Sequence, residues 1–91
     1  TGGSSGIGHA LIRHCPWPGA RILNLARRAA AGAEHHALDL SQPKGWRAAA
    51  ELFARELAGK RCARVALFHS AGTLLPIGFA GEVDADAYAR A

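Results

Sequence analysis

Thr1-Gly2-Gly3-Ser4-Ser5-Gly6-Ile7-Gly8 decides the fold. Gly2, Gly6 and Gly8 stand at the spacing G-x-x-x-G-x-G and open a helix expected over 6–15. A diphosphate needs backbone N–H donors at close range, and a Cβ in such a loop would hold it off. The N-terminus of the following helix supplies unpaired N–H groups and a partial positive charge, here with Ile7 in its first turn. Gly8, late in the stretch, lets the helix approach the neighbouring strand closely. Ser4 and Ser5 add hydroxyls that can bond phosphate or ribose. Read alone, the stretch also fits a flexible Gly/Ser linker. It does not fit a Walker-type phosphate loop, because no Gly-Lys-Ser/Thr follows.

Working outward, short apolar runs alternate with longer amphipathic ones, which argues for βαβ units and a parallel sheet. In the first helix Ile7, Leu11 and Cys15 share one face at i, i+4, i+8. Pro16-Trp17-Pro18-Gly19 ends it. Residues 20–26, with Ile22-Leu23-Asn24-Leu25, read as a buried parallel strand, apolar on both faces apart from Asn24. Residues 33–38 form a second, weaker strand. Ser41 is the expected N-cap of a long helix with Pro43 in its first turn. Trp46, Ala49, Ala50, Phe53 and Leu57 recur at helical spacing and should face the sheet. Gly59 is the expected terminator. Residues 63–69 read as a third strand, 70–83 as a Gly-containing loop, and Asp84 as the N-cap of a last helix.

The residues after the first strand bear on ligand choice. In a dinucleotide-binding fold the position roughly 20 residues past the glycines faces the adenosine ribose, and an acid there bonds the 2′-hydroxyl. Here that strand runs into Ala26, Arg27 and Arg28. A guanidinium cannot accept from the hydroxyl but binds a 2′-phosphate with its planar fork. A solvated basic turn is the plainer alternative for the same pair.

With these residues in hand, the chain resembles the cofactor-binding front part of the short-chain dehydrogenase/reductase family. Thr1 to Gly8 is similar to that family's TGxxxGxG fingerprint. Leu25-Ala26-Arg27-Arg28 resembles the second-strand end of its NADP-preferring members. Asp39-Leu40 matches the acidic residue and neighbour that touch the adenine. Ser70-Ala71-Gly72 stands where the family has Asn-Ala-Gly. The resemblance implies a partial Rossmann fold, a doubly wound parallel α/β sheet formed by residues 1–91 as the N-terminal part of one NAD(P)-binding domain. It implies NADP rather than NAD as cofactor, held by Gly2, Ser4, Ser5, Gly6, Ile7, Gly8, Arg27, Arg28, Asp39, Leu40, Ser70, Ala71 and Gly72. It also implies a full-length oxidoreductase that moves hydride to or from a carbonyl or alcohol substrate, cytoplasmic and homo-oligomeric. A non-catalytic dinucleotide sensor of the same fold is the alternative.

Ser70 departs from the family's asparagine, and His69 precedes it. Serine has one donor and a shorter reach, so the bracing role of that asparagine does not carry over, whereas backbone contact through Ala71 and Gly72 does. The resemblance further implies a catalytic Ser, a Tyr-x-x-x-Lys pair and a second Asn, and none is found in this sequence. Tyr88, the single tyrosine, follows Ser70-Ala71-Gly72 too closely and reads as a structural aromatic. No catalytic residue is therefore assigned to residues 1–91.

Composition narrows the remaining classes. The 91 residues suffice for one small domain, and 49% are apolar, so a packed core is feasible. Net charge is +4, but the eleven Lys and Arg are scattered and lack interleaved aromatics. A nucleic-acid binder concentrates its charge in a stripe, so the excess suits a small anionic ligand better. No apolar run approaches the roughly 20 residues of a membrane span, and no signal peptide is legible. Cys15 and Cys62 form no CxxC pair and read as two buried thiols. His35 and His36 are adjacent on a strand, point to opposite faces and cannot share a metal; no metal site is expected. The sequence begins at Thr1, contains no Met, and stops at Ala91 inside an expected helix, so it reads as a fragment that lacks the central first strand. On that reading strands 20–26 and 33–38 pair in parallel. Strand 63–69 then lies two strand spacings from 20–26, about 9–10 Å, without bonding to it.

Overall fold

A computed structural model describes residues 1–59, 62–73 and 81–90. The architecture is a small mixed α/β arrangement built on a two-stranded parallel sheet. Its elements in chain order are α1 (Gly6–Arg13), β1 (Leu23–Ala26), β2 (Glu34–Ala37), α2 (Pro43–Leu57) and α3 (Ala85–Arg90). β1 and β2 pair in parallel, with Leu23 opposite Glu34 and Ala26 opposite Ala37. The ladder is extended at both ends by bonds from Glu34 N–H to the Ile22 carbonyl and from Leu38 N–H to the Ala26 carbonyl. Adjacent parallel strands ordinarily need a helical crossover. Here residues 27–33 make the return without one.

α2 covers one face of this sheet. Leu25 of β1 meets Ala49 and Leu52, flanked by Leu23, Leu38, Leu40 and Phe53. Fully burying Leu25 and Leu52 stabilises the unit by about 1.5–3 kcal/mol each. The buried stripe of α2 is Gly45, Ala49 and Leu52. Of the expected face, Ala49 is buried and Phe53 packs against the core, whereas Trp46 and Leu57 are each about half exposed and Ala50 is exposed. The same correction holds for α1. Its buried residue is Gly8, whereas Ile7 is 76% exposed and Leu11 is also exposed. In both helices small residues (Gly8 in α1, Gly45 and Ala49 in α2) make close contacts beside larger ones such as Leu52, while Ile7, Leu11, Trp46 and Leu57 stay outside.

Caps and boundaries follow local chemistry. α1 stops at Arg13, short of the expected 15, because the residue before Pro16 is biased away from the helical region. The N-cap of α2 is Gln42, with Pro43 in the first turn. Ser41, the expected cap, instead donates from its backbone N–H and its hydroxyl to Asp39 Oδ1, at 2.9 and 2.7 Å. Gly59 follows the Ala58 C-cap at φ +65°, as a terminating glycine should. Asp84 caps α3 by accepting from Ala87 N–H at 2.9 Å. At the other end of the sheet Arg21 donates to both carboxylate oxygens of Glu34, at 2.5 and 2.9 Å, and to Glu56 of α2.

The third expected strand is not formed as a ladder. Residues 62–73 carry no assigned strand, and Val65, Leu67 and Phe68 are exposed. The backbone of this stretch is tied to Thr1: the Thr1 amino group donates to the Phe68 carbonyl at 2.6 Å, and Ser70 N–H to the Thr1 carbonyl at 3.4 Å. Gly2 N–H in turn donates to the Leu25 carbonyl at 3.3 Å. Thr1–Gly2 thus lies between β1 and residues 68–70, bonded to the latter in the pattern of parallel strands and to β1 by one backbone bond. Among the described residues no ladder joins β1 directly to 62–73. The loop expected over 70–83 lies partly outside the described residues. Cys62 is exposed and Cys15 half-buried, so the pair of buried thiols is not found.

Candidate functional site

The parallel direction of these segments sends several successive loops to one end. Gly2–Gly8 follows Thr1, Arg27-Arg28 follows β1, Leu38-Asp39 follows β2, and Ser70-Ala71 follows the 68–69 stretch. Every one of these loops leaves a carboxyl-terminal end.

The glycine loop is fixed from below and open above. Gly3 N–H donates to Asn24 Oδ1 at 3.0 Å. A Cβ on Gly8 would collide with the Gly2 carbonyl oxygen, so the first turn of α1 rests directly on the Gly2–Gly3 backbone. Gly6 is the opposite case. Its φ of +53° suits glycine, and a Cβ there would meet nothing within 4 Å. The glycine at Gly8 is required by the protein itself; the space beside Gly6 is left to whatever approaches from outside. Ser5 and Ile7 are exposed beside it, and Ser4 is half-buried.

Residues 69–71 close one flank. Thr1 Oγ1 lies 2.9 Å from His69 Nδ1 and accepts from Ala71 N–H at 3.3 Å. A Cβ on Gly2 would stand 2.7 Å from Ala71 N, so Gly2, Ser70 and Ala71 are in close contact. Gly72 is exposed, with open space around it.

The other flank is charged. Arg27 and Arg28 form an exposed bend after β1. Asn24 Nδ2 donates to the Arg28 carbonyl at 3.1 Å. The two bonds from Ser41 hold the Asp39 carboxyl below the ordinary carboxylate range, and the nearby Arg27 charge adds to the effect. Asp39 is therefore ionised at neutral pH and lies within the field of Arg27. Leu40 turns away: its side chain packs on the core, and its carbonyl accepts from Trp46 Nε1 at 2.6 Å. An open depression on the α2 side of Asp39 is lined by Leu38, Pro43, Lys44 and Arg47 and includes no residue of the glycine loop.

The structure therefore brings Gly2, Ser70 and Ala71 together and leaves Asp39 within the electrostatic reach of Arg27. It does not bring Leu40 or Gly72 into contact with the glycine loop. Sequence reasoning missed Asn24 and Thr1, which join the loops to one another. The one signal for Asn24 was a polar residue inside an otherwise apolar strand. Among the described residues no helix is long and apolar enough to cross a membrane. No family model matches the chain, and neither a curated protein nor a solved structure does.

Proposed function

We propose that this chain binds the adenosine and diphosphate half of NADP, as the cofactor-holding part of an oxidoreductase of the short-chain dehydrogenase/reductase type. The observation that carries the reading is the convergence of the glycine loop, the Arg27-Arg28 bend, Asp39 and Ser70-Ala71 at the carboxyl ends of parallel segments. Ligands of open parallel α/β sheets bind at that edge. The order β2, β1, Thr1–Gly2, 68–70 agrees with a partial doubly wound sheet.

The residues fit the group. Open space beside Gly6 at φ +53° suits a diphosphate in contact with backbone N–H groups at the start of α1. Arg27 and Arg28, exposed and unobstructed by an acid on β1, suit a 2′-phosphate. Asp39, ionised, is an acceptor for an exocyclic amine on the base. When bound, NADPH supplies the hydride, and the role of this chain is to hold and orient its adenosine end.

The test is titration of the chain with NADPH and NADH, followed by nicotinamide fluorescence. Saturable binding with NADPH the tighter ligand is expected. Gly6→Val should abolish it, because the side chain would fill space the protein itself leaves empty and a β-branched residue resists the φ of +53°; far-ultraviolet circular dichroism checks that the helices remain. Undiminished NADPH binding by Gly6→Val would mean the loop is only a linker.

A further inference from the structure

Asn24 is the most deeply buried polar side chain among the described residues, at 2% exposure in the centre of β1. An apolar residue would suit that position better, since a buried amide is costly unless both its ends are paired. Both are paired here, and both partners are loop backbone groups. Oδ1 accepts from Gly3 N–H in the glycine loop at 3.0 Å, and Nδ2 donates to the Arg28 carbonyl in the basic bend at 3.1 Å. These partners fix the amide orientation, because a backbone N–H needs the oxygen and a carbonyl needs the NH₂. One side chain thus joins two loops that are otherwise separate in sequence.

We propose that Asn24 is a positioning residue for cofactor discrimination: it locks the Arg27-Arg28 bend to the glycine loop, so that the 2′-phosphate and diphosphate contacts are held at a fixed separation. This rests on the NADP reading above. Asn24 touches no cofactor atom; it acts through Gly3 and Arg28. The bond to Gly3 holds the loop that serves NADPH and NADH alike. The bond to Arg28 holds the bend that serves NADPH alone. The two halves of one amide therefore have separable consequences.

Two variants separate them. Asn24→Asp keeps an acceptor for Gly3 N–H but, as a carboxylate, has no proton to give the Arg28 carbonyl. It should lower NADPH affinity about fivefold to tenfold, the loss expected for one buried hydrogen bond, and NADH affinity much less. Asn24→Leu removes both bonds with a side chain that suits a buried strand, so it should fold and should weaken both cofactors, NADPH more. In an Arg27→Ala/Arg28→Ala background Asn24→Asp should produce no further change in the NADPH-to-NADH ratio, since the bend then has no guanidinium left to position. A merely structural amide would shift both cofactors equally and additively. Saturable NADPH binding by the unsubstituted chain, with the ratio unchanged in Asn24→Leu and in any folded Asn24→Asp, overturns the role of Asn24 alone. Absence of NADPH binding by the unsubstituted chain overturns the cofactor reading and this inference together.

Discussion

Ile22-Leu23-Asn24-Leu25 and Val65-Ala66-Leu67-Phe68 are near equals in composition and opposites in environment. The first becomes β1, with Leu25 only 3% exposed beneath α2 and a parallel partner in β2. The second carries no ladder, and Leu67 is 66% exposed. Among the described residues its attachments include the bonds to Thr1 and a tilted stack of Phe68 on Trp17 at 6.5 Å, with the preceding Arg64 over the Trp17 ring at 5.9 Å. Apolar, β-favouring sequence does not make a strand by itself. Strand propensity measures how well a segment fits a pleated, covered surface, and only the first segment has one.

The largest effect that could break this contrast is on stability. Leu52→Ala removes a core contact of Leu25 and should cost about 2–5 kcal/mol. That is comparable with the whole stability of a small domain. Leu67→Ala should cost no more than about 0.5 kcal/mol, as an exposed substitution. Urea unfolding followed by circular dichroism measures both. Equal shifts of the midpoint would mean that the 65–68 segment is packed in solution as firmly as β1.

The next effect is on binding, and it contrasts the basic residues of the two regions. Arg27 follows the carboxyl end of β1, whereas Arg64 lies against Trp17. Arg27→Ala should remove charge-assisted bonds to the 2′-phosphate worth about 1.5–3 kcal/mol, or about 10- to 150-fold in NADPH affinity. NADH affinity should change little, and Arg64→Ala should change neither. Equal losses of NADPH and NADH in Arg27→Ala would remove the 2′-phosphate role and leave a general basic bend.

How much of this was legible in the sequence depends on what decides each feature. The β1 and β2 segments, the Pro43 start and Gly59 end of α2, and the Asp84 cap are local matters, and local chemistry located them. The helix faces are not local. Ile7, Leu11, Trp46 and Leu57 share the expected faces yet are exposed, whereas Ala49 is buried as expected and Gly8, Gly45 and Leu52 are buried without having been expected. Periodicity weights large side chains, whereas close backbone approach selects small ones. The third strand could not be judged from its own residues, because its state depends on what lies beside it. In the candidate site, the glycine loop and the basic bend stood out as motifs. The Gly3–Asn24–Arg28 link did not, since it exists only once two distant backbone groups arrive on either side of one amide.

The smallest effect concerns the sheet end opposite the candidate site. Arg21 joins Glu34 of β2 to Glu56 of α2, and its side chain is half exposed. Its hydrogen bonds hold the Glu34 carboxyl below the ordinary value of 4.5. A carboxylate whose folded pKa lies below its unfolded one contributes stability that is fully present above the unfolded value and is lost as pH falls through the folded value. The unsubstituted chain should therefore lose stability as pH drops below about 4.5, and Arg21→Ala should show a shallower loss over the same window. Asp39 stays engaged with Ser41 in both proteins, so some acid dependence should survive the substitution. At neutral pH the two should differ only slightly. About 1 M salt should shrink that difference, because the Debye length falls to about 3 Å and Arg21 and Glu34 are each about half exposed. Urea midpoints measured on both proteins at neutral and acid pH, with and without salt, decide the matter. Parallel acid slopes would show that the Arg21 cluster contributes nothing to holding β1, β2 and α2 together, and that the packed region rests on its apolar core alone.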